Sequence, residues 1–210
     1  IPMIFVLATV KIHVERAPDA KSKRVLAALV DGANYALHHP MIRSVLALSC
    51  FVALVGTGMV ELMPVFAEAV YDRGVTGLGM LASASGVGAV ASTFMLSRVR
   101  SDPAAFQRVT VIGAFAAGCG MLGLGFAPWY ELAVVLVAIT GFGLTAVGVG
   151  SQTALQLTVD NKLRGRVMSF WSATSFGGIA LGGTMLGAIS EAGHIQYTAR
   201  GSGILILCAA

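Results

Sequence analysis

The chain has 210 residues, of which 56% are hydrophobic and 11% charged, with a formal net charge of +4. A water-soluble domain carries about a quarter charged residues, so this composition leaves too little polar surface for a water-facing globule and points to lipid as the solvent. No basic cluster is interleaved with exposed aromatics, which sets nucleic-acid binding aside. Cys50, Cys119 and Cys208 each sit alone in an apolar run and read as small apolar residues rather than a disulfide framework or a zinc site.

A spanning helix needs about 20 mainly apolar residues. In chain order, Ile1 to Val10 reads as the tail of one span, and residues 11–43 as a polar, cytoplasmic central loop. Within that loop Val25, Leu26, Leu29, Ala33 and Leu37 recur at helical spacing, while Lys23, Asp31, Asn34 and His38 face elsewhere. This predicts an amphipathic helix over 22–39 lying on the inner membrane surface and stopped by Pro40. Full spans are expected at 44–70, 76–96, 106–127, 131–159 and 167–189, and a further one begins near Gly203. The apolar start and apolar end, without a basic signal-peptide region, lead us to expect a piece of a longer protein.

The connections alternate in charge. Lys11, Arg16, Lys21, Lys23, Arg24 and Arg43 fall in the first loop, Arg98, Arg100 and Arg108 in the third, and Lys162, Arg164 and Arg166 in the fifth. Only Arg73 and Arg200 fall on the other face, so twelve of the 14 basic residues share one side. Basic residues stay cytoplasmic during insertion, and residues 44–70 therefore run outward. Tyr71, Trp129 and Tyr130 are expected at outer ends and Trp171 near an inner end, as interface aromatics.

Soluble-enzyme motifs fail in context. Gly118-Cys119-Gly120-Met121-Leu122-Gly123 matches the dinucleotide fingerprint G-x-G-x-x-G, but it lies mid-span and no acid follows between Ala138 and Gly143. No nucleophile elbow, phosphate loop or His-Glu-x-x-His occurs, and His13, His38, His39 and His194 all fall in loops or at interfaces. No cofactor, metal or enzymatic activity is expected.

The second and fifth full spans are rich in small residues. Gly86 and Gly88 stand in one; Gly178, Gly182, Gly183 and Gly187 form two G-x-x-x-G pairs in the other. Such faces let helices approach closely where no hydrophobic force drives them together. Spans three apart with matching character fit a half-transporter built from two inverted three-helix repeats. Polar groups within spans are few. Glu61 precedes Pro64, which removes a backbone donor and is expected to kink the helix near Val60. A carboxylate at membrane depth faces a cavity or partner, and burial lets it carry a proton near neutral pH; the plainer reading puts Glu61 at the outer interface, about 27 Å beyond Arg43 at 1.5 Å per residue. Gln152 and Gln156, one turn apart, line a cavity or bond neighbouring helices.

The segment Asp160-Asn161-Lys162-Leu163-Arg164-Gly165-Arg166-Val167-Met168-Ser169, followed by Gly177-Gly178 and Gly182-Gly183, resembles the loop between the tenth and eleventh helices of the major facilitator superfamily. Gly32 to Arg43, with His38-His39-Pro40, and Leu62-Met63-Pro64-Val65-Phe66-Ala67 resemble the central loop and seventh helix in the branch that includes the enterobactin exporter. The resemblance covers the whole chain. It implies an all-α membrane fold, the C-terminal six-helix half of a twelve-helix bundle, truncated at both ends. It also implies that Glu61, Gln152 and Gln156 line a substrate cavity or couple protons, and that the glycine-rich spans pack against the missing N-terminal half of the chain. Asp160, Arg164, Gly165 and Arg166 would belong to a cytoplasmic gate loop, where simple positive-inside charge is the alternative. Arg98-Val99-Arg100-Ser101-Asp102 departs from the family's loop-eight motif and inherits no role. The expected function is secondary active transport in the bacterial inner membrane, as proton-coupled efflux of small amphipathic molecules such as drugs or siderophores. Its partners would be the substrate, protons and the bilayer. An importer of sugars or other nutrients, an intramembrane enzyme and a non-transporting scaffold are the alternatives.

Overall fold

The computed structural model of the chain describes residues 38–190 and 195–210. The expected end of a span at 1–10 and nearly all of the amphipathic segment at 22–39 lie outside the described residues. The described residues form six helices: α1 over Pro40–Val70, α2 over Gly74–Leu96, α3 over Pro103–Leu124, α4 over Tyr130–Thr158, α5 over Asn161–Ser190 and α6 over Ile195–Ala209. Five of them, α1 to α5, are long and apolar enough to cross a membrane, and a helix satisfies its backbone polar groups internally, as lipid requires.

The helices start earlier than apolar-run counting suggests. Pro40 and Pro103 open α1 and α3 in the first helical turn, where a missing N–H costs nothing. The last helix begins at Ile195, eight residues before Gly203, because its first two turns carry Gln196, Thr198 and Arg200 and so read as polar in sequence.

α1 is not continuous. Wide π-type turns occupy Ala53–Thr57 and Phe66–Val70, and the ladder is interrupted at Glu61 and Leu62. Pro64 has no N–H to give to Val60. The chain tightens instead, and the Leu62 amide turns back to the Met59 carbonyl at 3.1 Å.

α4 is the centre of the bundle. Gly113 and Ala117 of α3 meet Gly143 and Ala146 on one side of it. On another side, Gly88 of α2 lies on the backbone of Ala138 and Phe142, and Gly141 lies on Ser85. α3 in turn holds α6, with Gly118 against Leu207 and Gly203. A core including Val55, Met59, Phe66, Leu81, Met121, Val137 and Ile206 fills the space between them.

Two ends are distinct. At one, Ile42, Val45 and Leu46 of α1 pack on Leu155, Val159 and Val167, and Gln107 Nε2 donates to Ser44 Oγ at 3.4 Å. Arg43, Arg98, Arg100, Arg108, Arg164 and Arg166 belong to this end. At the other, Tyr71, Tyr130 and Arg200 bind backbone carbonyls of neighbouring segments. Trp171 bonds a neighbouring helix. It lies ten residues into α5, about 15 Å from its start, and its Nε1 donates to Ser151 Oγ of α4 at 3.3 Å.

Candidate functional site

The site begins with the seam between α1 and α5, which run in the same direction. Cys50 Sγ reaches the Thr174 carbonyl at 4.0 Å. A methyl group added at Gly178 would lie 3.2 Å from the Leu54 nitrogen and 3.3 Å from the Ala53 side chain. Gly182 lies on the Leu54 carbonyl, and Gly58 lies on Gly182, where a Cβ would come within 2.6 Å of the Gly182 carbonyl carbon. Gly56 is closed in by Leu144 and Ile206. Glycines on both helices bring the backbones together, and Gly56 and Gly58, not singled out in sequence, are as tightly enclosed as those of α5.

Glu61 follows this seam at the break in α1. Its Cγ and Cβ would lie 3.8 and 4.0 Å from a methyl group at Gly183, and Gly187 faces Leu62 at a similar distance. Glu61 is exposed, and among the described residues it makes no ion pair. α1 continues to Val70 beyond it, so the carboxylate stands about 14 Å short of the helix end at 1.5 Å per residue. Glu68, which sequence reasoning passed over, sits on the same helix nearer the outer end and is also exposed.

The glutamines lie elsewhere. Gln152 is half-buried and Gln156 exposed, close to the inner end of α4, where Thr158 meets Met41. Gly56 is level with Leu144. Counting rise along both helices from that level puts Glu61 and Gln152 about 20 Å apart in depth. One small ligand does not touch both.

The two-residue connection Val159–Asp160 turns the chain from α4 into α5, with the Asp160 carbonyl accepting from the Leu163 and Arg164 amides at 2.9 Å each. Val167 is buried, while Arg164, Gly165 and Arg166 are exposed, and an added Cβ at Gly165 meets no described residue within 4 Å. Gly86 is likewise open, unlike Gly88. The exposed faces of α2 and α5 carry large apolar side chains, among them Val90 at 72% and Phe176 at 70% exposure, which in a membrane protein face lipid or another helix layer.

A clamp closes the outer end. Tyr130 Oη donates to the Gly77 carbonyl at 2.7 Å and Tyr71 Oη to that of Ala127 at 3.1 Å. The two rings meet edge to face at 5.6 Å. Burial pushes the Tyr71 phenol above its ordinary pKa, so it remains a donor. The clamp ties the outer segment of α1 and the start of α2 to the α3–α4 turn. Arg200 Nε donates to Gly125 at 2.7 Å and stacks on Phe126. Sequence showed these residues as interface aromatics and stray outer charges; no local signal pairs them.

A family model described as transmembrane secretion effector matches residues 1–210. The chain is 26% identical over 204 residues to the multidrug efflux pump Tap of Mycolicibacterium fortuitum, covering 93% of this chain and 48% of Tap. It is 26% identical over 196 residues to the enterobactin exporter EntS of Escherichia coli, covering 90% of this chain and 45% of EntS. The chain thus spans about half the length of the curated relatives it matches. No solved structure matches it.

Proposed function

This chain belongs to the transmembrane secretion effector family, a branch of the major facilitator transporters, and from that membership we propose that it serves proton-coupled efflux of small amphipathic molecules. It is a multi-pass integral membrane protein of the bacterial inner membrane, in a family of transporters rather than enzymes. The drug efflux of Tap and the enterobactin export of EntS support the outward direction and the substrate class.

The observation that carries the coupling is Glu61. It is an acid at a helix break, exposed and without an ion pair among the described residues. Protonation drives export when the two protonation states favour different conformations. Efflux driven by the proton gradient requires Glu61 to take its proton from the outer side and to give it up to the inner side. Gln152 and Gln156 offer amide contacts to substrate nearer the inner mouth. The Gly182–Leu54 and Gly88–Ala138 contacts hold the half-bundle as a unit that rocks against its partner, and Arg164 and Arg166 stand at the inner gate.

Everted membrane vesicles containing the full-length protein test this. An imposed pH gradient, acid inside, should drive accumulation of a fluorescent amphipathic cation, and collapse of the gradient by a protonophore should release it. Accumulation indifferent to the gradient, or uptake in right-side-out vesicles, would overturn the reading.

A further inference from the structure

The loop from α2 to α3 encloses a recess of about 710 Å³, open to solvent and lined by Arg100, Ser101, Asp102, Ala105 and Arg108. Arg100 and Arg108 are both exposed, and among the described residues neither makes an ion pair. Asp102 is the one acidic group among the lining residues, so the recess keeps a positive balance. Arg98, two residues before Arg100 in the chain, is a third cation of this loop, its guanidinium 3.7 Å above the Phe94 ring. Arg108 is followed on its own helix by Ile112 and Phe115, one and two turns deeper and exposed at 59% and 58%. At 1.5 Å per residue these lie about 6 and 10 Å below the arginine. A cationic recess at the membrane surface therefore stands directly above an uncovered apolar face.

We propose that this recess is a binding site for an anionic glycerophospholipid of the inner leaflet. Arg100 and Arg108 take the headgroup phosphate, Ser101 offers a hydroxyl to it, and the Ile112 and Phe115 face of α3 takes an acyl chain. A free anion would use the arginines alone; the apolar face beneath Arg108 matches the second part of a lipid. Guanidinium groups suit phosphate oxygens by geometry as well as by charge, and they bind best where hydrocarbon below and water above fix the headgroup's height. The site is independent of the transport substrate and of Glu61.

The test titrates the detergent-purified full-length protein with phosphatidylglycerol or with phosphatidylcholine of the same chains, reading bound lipid by native mass spectrometry. Phosphatidylglycerol should bind about tenfold more tightly, and R100Q/R108Q should remove about that factor while R100K/R108K retains most of it. Equal binding of the two lipids by the native protein, or an R100Q/R108Q variant that binds phosphatidylglycerol as well as the native protein does, would overturn the site. Displacement of the lipid by an equal concentration of inorganic phosphate would also overturn it, in favour of a free-anion site. Should R100Q/R108Q fail to remain monodisperse, the comparison of the two lipids on the native protein decides alone.

Discussion

The backbone of Gly182 lies directly on the carbonyl of Leu54, with no room between them for a methyl group. This contact joins α5 to the wide turn of α1, just below the break that carries Glu61. The position of the carboxylate therefore depends on a glycine 121 residues further along the chain.

Gly182→Ala should destabilise the half-bundle by about 1–3 kcal/mol, since the added atom meets the backbone of Leu54 and nothing flexible can give way. Gly88→Ala should behave alike, because it meets the Ala138 carbonyl and the Phe142 amide. Gly86→Ala and Gly165→Ala should leave stability of the half-bundle within about 0.5 kcal/mol. Thermal unfolding in detergent, followed by tryptophan fluorescence, separates the two classes.

Tyr130→Phe removes one hydroxyl and leaves the Gly77 carbonyl without its 2.7 Å partner. The expected loss is about 1 kcal/mol. Arg73→Gln should cost less, because its 3.7 Å contact with Glu131 is made by two exposed side chains. Both are read as shifts in the same melting transition.

In a cysteine-free full-length protein, a cysteine placed at Ser101 and one placed at Trp129 should react with an impermeant maleimide from opposite sides of the membrane. Helix α3 separates them, and the basic end at Arg98–Arg108 is predicted to be cytoplasmic. Labelling of both from one side would contradict the threading of α3.

The number of the described spans was legible because hydropathy is written locally, residue by residue. Gly178 and Gly182 were visible at four-residue spacing and Gly88 within a run of small residues, but nothing local told Gly88 from Gly86, whose neighbourhood is open. The rejected G-x-G-x-x-G stretch carries packing instead: Gly118 meets α6, and Gly120 meets Thr140 and Leu136 of α4. The break in α1 was half legible, since Pro64 announces a lost donor, while the flanking π-type turns, one packed on α5 and the other on α2, carry no local signal. The outer clamp was illegible. It joins Tyr71 to Ala127 and Tyr130 to Gly77, pairs more than fifty residues apart whose meeting is set by tertiary packing.

Proton coupling through Glu61 is tested most directly by Glu61→Gln in the full-length protein reconstituted in liposomes, with substrate-evoked proton movement recorded by an entrapped pH dye. Glutamine keeps the size and loses the titration. Substrate addition should move protons across the membrane in the native protein and move none in the variant, while energy-independent exchange of labelled for unlabelled substrate continues in both. Proton movement of native size in the Glu61→Gln protein would place the coupling group elsewhere and remove Glu61 from the mechanism.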